Sequence, residues 1–323
     1  MVGGNRRHPC SPGLYTKQLM NMINSRYLAF LIAAAMAVGS CKKSEDSAVI
    51  SKYVSRVLEY RPAPGQFINE KNTGTPEAAE TLVGGTSSLL SLGAFGGYVV
   101  VAFDHTIQNG EGADIGIYGN PNTGVGTEWS EPGIVSVMQD KNGNGLADDG
   151  EWYELAGSEH LNPATVKNYR ITYYNPRNST DDVLWEDNQG KRGKVLRNIF
   201  HSQEYYPLWF KEQDSISFSG TLLPPAPRSE GLNTNPSFAW GYADSGSEEF
   251  IQLRYEYGRG YNTFDISWAV DKSGNKVDLQ HIDFVRVMTA QNSAGSTGDD
   301  TTEGRQVGEV STDVSGIIDL QIP

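Results

Sequence analysis

The chain has almost no cysteine: among its 323 residues only Cys10 and Cys41 carry a thiol. If Cys10 lies ahead of the mature chain and Cys41 is modified, no disulfide can form, and stability must come from core burial, with or without a metal. No H-E-x-x-H or comparable zinc spacing joins His105, His160, His201 and His281, so each reads as a surface or packing histidine. A G-x-S-x-G elbow is missing, and modification of Cys41 leaves no thiol nucleophile. No helical apolar period after residue 42 runs beyond three turns, so helices should be short and peripheral. The lack of a repeat of fixed period argues against a propeller or solenoid. Positive charge is also scarce. Net charge is −13, and the first 40 residues hold Arg6, Arg7, Lys17 and Arg26 without any acid, leaving 22 basic against 39 acidic groups, a net of −17. Such a surface repels nucleic acid and anionic lipid.

What is present begins with a leader. From Met20 the chain reads MNMINSRYLAFLIAAAMAVGSC, and its apolar run from Tyr27 to Val38 is shorter than the roughly 20 residues a bilayer span needs. It has the layout of a secretory signal peptide. Val38-Gly39-Ser40-Cys41 resembles a bacterial lipobox, in which the Cys41 thiol takes a diacylglycerol. Residues 1–19 read as an overextended start, 20–40 as the lipoprotein signal peptide, 41–52 as a lipidated polar tether and 53–323 as one folded domain. Glu45 and Asp46, close behind Cys41, resemble the export signal of surface lipoproteins in the Bacteroidota, which implies a lipid-anchored place on the outer membrane, facing outward; a periplasm-facing lipoprotein is the alternative.

With 36 Gly, 15 Pro, 16 Tyr, 11 Phe and 6 Trp but only 20% charged residues, the composition suits many short strands and turns. Val54–Tyr60 opens the folded part. Strand-like segments follow at Tyr98–Phe103, closed by Asp104, then at Asp114–Tyr118 after a hairpin-like Asn109-Gly110 turn, and at Gly133–Met138. Tyr169–Tyr174, Ser215–Phe218, Phe250–Tyr257, Phe264–Val270 and Ile282–Met288 have strand length and composition. Val307–Ile322 alternates like a closing strand pair, and Ser293–Arg305 reads as an exposed, mobile loop. These segments predict an all-β, jelly-roll-like antiparallel sandwich with long loops and few short helices.

One motif is sharp. Asp140 to Glu151, DKNGNGLADDGE, fits D-x-[DN]-x-[DN]-G-x5-E at every specified position. In such a loop oxygens of Asp140, Asn142 and Asn144 converge on one ion, Gly145 permits the sharp turn, Leu146 offers its carbonyl, Asp148 an acid and Glu151 a bidentate carboxylate. Asp149 could stand in for Asp148. Hard oxygen donors in this number select Ca²⁺. An EF-hand needs helices on both sides, whereas strand-like Ile134–Met138 and Trp152–Leu155 flank this loop, so a structural calcium that stiffens a long connection is expected. A solvated Asn-Gly and Asp-Gly turn is the competing reading. The turn at Asp271-Lys272-Ser273-Gly274-Asn275 lacks the later acids and reads as a plain hairpin turn.

No residue is assigned to catalysis. Glycosidase chemistry needs only two carboxylates at the right separation, and nothing raises Glu204, beside Tyr205, Tyr206 and Trp209, above the other acids. The aromatic runs 201–210 and 238–244 make a better case for binding, because rings next to polar groups stack on sugars or other flat ligands. Tyr205 with Trp209, and Trp240 with Asp244, are the expected ligand contacts; the competing reading is that these rings fill the core.

Taken together, Ser91-Leu92-Gly93, Phe95-Gly96-Gly97, the Phe103-Asp104 turn, Glu131-Pro132-Gly133, the stretch Glu151 to Ser158, Trp240 to Asp244 and Phe264-Asp265-Ile266 resemble a family of Bacteroidota cell-surface lipoproteins over nearly all of the mature chain. The resemblance implies a jelly-roll-like sandwich with a surface role and transfers no catalytic residue. It also implies a neighbourhood of TonB-dependent nutrient receptors, including those for cobalamin. The expectation is a non-catalytic surface lipoprotein that binds a glycan or a corrinoid-like nutrient for such a transporter. A secreted-face glycoside hydrolase, or a structural or adhesive surface protein, are the alternatives.

Overall fold

The computed structural model describes residues 50–225, 234–292 and 304–323. The leader, Cys41, most of the tether and most of the Ser293–Arg305 loop lie outside the described residues. Strands β1 (Arg56–Arg61), β2 (Leu90–Ser91), β3 (Tyr98–Gln108), β4 (Ile115–Tyr118) and β5 (Gly133–Met138) come first. They are followed by β6 (Tyr153–Leu155), β7 (Val166–Tyr174), β8 (Val183–Asp187), β9 (Arg192–Val195) and β10 (Ser215–Leu222). The chain closes with β11 (Asn262–Phe264), β12 (Ala269–Val270), β13 (His281–Thr289), β14 (Asp313–Val314) and β15 (Gly316–Asp319). Helices are few and short: α1 (Pro76–Ala79), α2 (Glu248–Tyr257) and α3 (Gly304–Val307).

All pairings between these strands are antiparallel. A six-stranded sheet runs β1-β3-β13-β5-β6-β12, and a four-stranded one runs β10-β7-β8-β9. A three-stranded sheet, β11-β4-β15, and the pair β14-β2 complete the set. The all-β antiparallel sandwich expected from the sequence is the fold that forms, and among the described residues no sheet closes into a barrel.

Period-two alternation explains the layers. Val99, Val101, Val135, Val137, Val285 and Val287 point from the centre of the six-stranded sheet into the main core, each 0% exposed. Ile115, Ile117, Phe264 and Ile317 of the three-stranded sheet meet them there. Each such side chain contributes about 1.5–3 kcal/mol relative to exposure. The alternate residues Tyr98, Ser136, Arg286 and Met288 project from the sheet's second face. The four-stranded sheet covers part of that face: Phe218 stands edge-on to Tyr98 at 6.5 Å, and Gly220 lies so near Met288 that a Cβ would fall 2.3 Å from its Cε. At the sheet's edge, β1 pairs with β3 through a register shift between Val57 and Glu59.

Several segments differ from the sequence reading. Phe250–Tyr257 is part of helix α2, not a strand. Ser247 caps it by accepting from the Phe250 amide, Glu248 and Glu249 stand in the first turn, and Gly258 ends it at φ 77°. These end signals outweigh an aromatic, strand-like composition. Asp104 does not close β3, which continues to Gln108 because its polar side chains find partners. His105 bridges Asp104 (2.7 Å) and Asp319 (2.8 Å), and Thr106 donates to Asp283. Asn109-Gly110 is not a hairpin turn, since β3 and β4 belong to different sheets; it starts a crossover held by buried Asp114, which accepts from the Gly110 and Ile266 amides. Phe264–Val270 is broken by a 3-10 turn over Ile266–Trp268, where Asp265 accepts from the Ser267 amide. The closing strands β14 and β15 pair with β2 and β4, not with each other.

Candidate functional site

The Asp140–Glu151 loop joins β5 to β6 and is largely exposed. Asp140 accepts from the amides of Gly143, Asn144 and Gly145, and Asn144 Oδ1 accepts from Leu146 N. Gly143 and Gly145 take φ of 70° and 73°, the left-handed region the tight turn requires. Asp148 accepts from the carboxamides of both Asn142 and Asn144 at 3.0–3.2 Å. Asp140, Asn142, Asn144 and Asp148 are thus drawn together. Glu151 is not: its Oε2 takes Lys141 Nζ at 2.6 Å and the Tyr153 hydroxyl at 2.7 Å. Among the described residues no three His, Cys, Asp or Glu side chains gather as a metal-holding group. The donor set is all oxygen, and rotating either carboxamide presents its oxygen inward, so an ion of the calcium type suits it once Glu151 swings in.

The four expected ligand contacts separate into two kinds. Tyr205 is core: it is 2% exposed, its hydroxyl accepts from the Asn198 amide, and the Arg197 guanidinium lies over its ring. Asp244 is 0% exposed and accepts from the amides of Asn120 and Asp313 at 2.8 and 2.9 Å. Neither offers a surface to a ligand, and both expectations are corrected: their hydrogen bonds fasten loops. Trp209 is half-buried against Tyr60 and Phe210. Trp240 is 41% exposed and stands edge-on to Trp268 at 4.8 Å.

A cavity of about 140 Å³ opens between the second face of the six-stranded sheet and strands β7 and β10. Its walls carry Arg286, Trp152, Ser136, Glu154, His160 and Lys167. The Arg286 guanidinium lies 4.5 Å from the Trp152 ring centre and 5.9 Å from that of Tyr98. Its Nε is fully covered and has no hydrogen-bond partner among the described residues, while Nη2 donates to Ser136 Oγ at 3.5 Å. Burial pushes the Arg286 pKa down, against the pull of Tyr98, Glu59 and Glu154, but a guanidinium stays charged.

Glu154, by contrast, is fully engaged. It accepts from Lys167 at 3.2 Å and Thr221 at 2.6 Å. Burial alone would raise its carboxyl; contacts with His160, Lys167 and Thr221 outweigh that and hold it below its ordinary value. Lys167 Nζ also lies 2.9 Å from His160 Nδ1. Segments 156–160 and 268–274 connect this cavity to the exposed tryptophan. Ala156 N donates to the Trp268 carbonyl and Ser158 N to that of Trp240, while His160 and Gly274 line the cavity.

Sequence reasoning missed this cavity because its residues come from six strands and the loops between them, with no local spacing. Arg286 was the available signal: one cation inside the apolar run Ile282–Met288, at an alternation position a buried sheet would give to a hydrophobe. A second feature also went unread, a set of buried acids. Burial raises the carboxyls of Asp313 and Glu309 to about 7, and burial together with Asp313 raises those of Asp244 and Glu131. No family model matches the chain, and no curated protein matches it either.

Proposed function

We propose that this protein is a non-catalytic lipoprotein, anchored through Cys41 at the outer-membrane surface, that captures an extracellular nutrient for a TonB-dependent transporter. The observation that carries the binding reading is the cavity at Arg286, where a largely buried guanidinium lines an opening that segments 156–160 and 268–274 link to the Trp240–Trp268 pair. A ligand group that accepts from the terminal nitrogens of this guanidinium would form charge-assisted hydrogen bonds, roughly twice as strong as neutral ones. Of the two ligand classes, a glycan suits the site better than a corrinoid. A cavity of 140 Å³ is below the roughly 300–1,000 Å³ of sites that engulf a whole drug-sized molecule. It receives one group of a larger ligand, while an exposed ring such as Trp240 stacks on a sugar face.

The Asp140–Glu151 loop fits this reading as a calcium-stiffened connection, since Trp152 directly follows Glu151 and its ring lies over Arg286. Calorimetric titration of the purified full chain with a panel of glycans and corrinoids tests capture. Saturable binding weakened by Trp240→Ala is expected, and no binding to any of them would sink the reading. Mass spectrometry of the native protein tests the anchor: an uncut, unacylated N-terminus would remove it.

A further inference from the structure

The cavity at Arg286 has a definite chemical preference. Of the charges around it, Glu154 is taken up by Lys167 and Thr221. Asp271 at the rim accepts from the amides of Ser273 and Asn275 and from the Asn275 carboxamide. Neither carboxylate is within ion-pair distance of Arg286. What is left lining the cavity is the Arg286 guanidinium, 4.5 Å from the Trp152 ring centre and 5.9 Å from that of Tyr98, together with Lys167 and Lys272.

We infer that this cavity binds the carboxylate of a small acidic sugar, with Arg286 as its anchor. The inference rests on the capture reading above and narrows it from glycans to those ending in an acid. A planar guanidinium matches a planar carboxylate by two parallel N–H···O bonds, and the Trp152 ring, 4.5 Å away, restrains the plane of the fork. Ser136 Oγ, 3.5 Å from the Arg286 terminal nitrogen, adds a hydroxyl that can donate to the bound oxygen. The volume fits a carboxylate and the part of the ring that bears it. The remaining sugar would lie toward segments 156–160 and 268–274, the second of which carries Trp268 while the first holds Trp240 through the Ser158 amide. A net charge of −13 on the chain works against polyanions, so selectivity should be for a single acid on an otherwise neutral ligand.

The test begins with the unmodified full chain in detergent, titrated calorimetrically with glucuronate, its uncharged methyl ester, glucose and inorganic sulfate. Glucuronate is expected to bind at least tenfold more tightly than the ester or glucose, and more tightly than sulfate, whose tetrahedral oxygens match the fork less well. Arg286→Gln and Arg286→Lys should each weaken glucuronate at least tenfold, the lysine keeping the charge but losing the fork. Because the ester comparison uses unaltered protein, misfolding of an arginine variant leaves the test intact. Equal affinity for glucuronate and its ester, or tighter binding of sulfate, overturns the carboxylate assignment. If a neutral oligosaccharide binds and glucuronate does not, the assignment fails while capture stands. If nothing in the wider glycan and corrinoid panel binds, capture itself fails.

Discussion

Arg286 and Trp152 face each other across two strands of one sheet, guanidinium to ring centre 4.5 Å, on the side turned away from the main core. Strand β13 supplies the cation, and the residue just before β6 supplies the ring. A desolvated contact of this kind is worth up to about 2 kcal/mol. Trp152→Leu keeps an apolar body and removes the π face. A loss of about 1–2 kcal/mol in urea unfolding is expected; an unchanged midpoint would mean the ring does not support the arginine.

Calcium should raise the melting temperature of the full chain, and excess chelator should reverse the gain. Asp140 is a poor residue for the test on its own, because its oxygens hold three backbone amides with or without an ion. Glu151 is better, being exposed and bound, among the described residues, to Lys141 and Tyr153. Glu151→Ala should leave the calcium-free melt nearly unchanged and abolish the calcium gain. A melt indifferent to both calcium and chelator would rule out the site.

Stability should fall as pH rises from about 5 to 8. The unfolded carboxyls ionise near pH 4, whereas burial raises those of Asp313 and Glu309 to about 7 in the fold. Between those values the folded chain keeps protons the unfolded chain has released, so each unit of pH subtracts stability until the folded groups ionise. His105 acts in the same direction. Burial alone would lower its pKa, but Asp104 and Asp319 outweigh that and raise it, so its contribution is lost as pH climbs past the folded value. Asp313→Asn should flatten the profile and raise the pH 8 melting temperature by about 2–4 °C for each kcal/mol regained. A flat wild-type profile over this range would refute the account.

Gly97 sits where a Cβ would lie 1.8 Å from the Leu92 carbonyl oxygen and 2.5 Å from Ala63 N. Both are backbone atoms and cannot step aside as a side chain could. Gly97→Ala should therefore destabilise by at least about 3 kcal/mol, read from chemical denaturation, while Gly85→Ala, in open space, should change little.

Much of the fold was legible because its strongest strands obey one local rule. Gly133–Met138 appears as read, and Tyr169–Tyr174 and Ile282–Met288 needed only lengthening. Short-range chemistry that contradicts composition was not legible. The aromatic run at Phe250–Tyr257 is a helix because of Ser247 and Gly258 at its ends, and the hairpin of β8 and β9 hides in the charged stretch around Glu186 to Lys191. The loop at Asp140–Glu151 was visible since all its groups lie within twelve residues. The Arg286 cavity was not, since register and sheet packing assemble it from Ser136, Glu154, Lys167 and Thr221, far apart in the chain. Tyr205 and Asp244 mislead for a related reason: sequence shows an aromatic beside an acid but not whether that pair faces water.

The edges of the six-stranded sheet bear on how neighbouring molecules would coexist. At one edge β12 is two residues long. At the other, β1 carries Arg56, Glu59 and Arg61 and is kinked by its register shift. Short, charged and kinked edges are poor templates for another chain's backbone. Copies crowded side by side would therefore resist zipping edge to edge into fibrils.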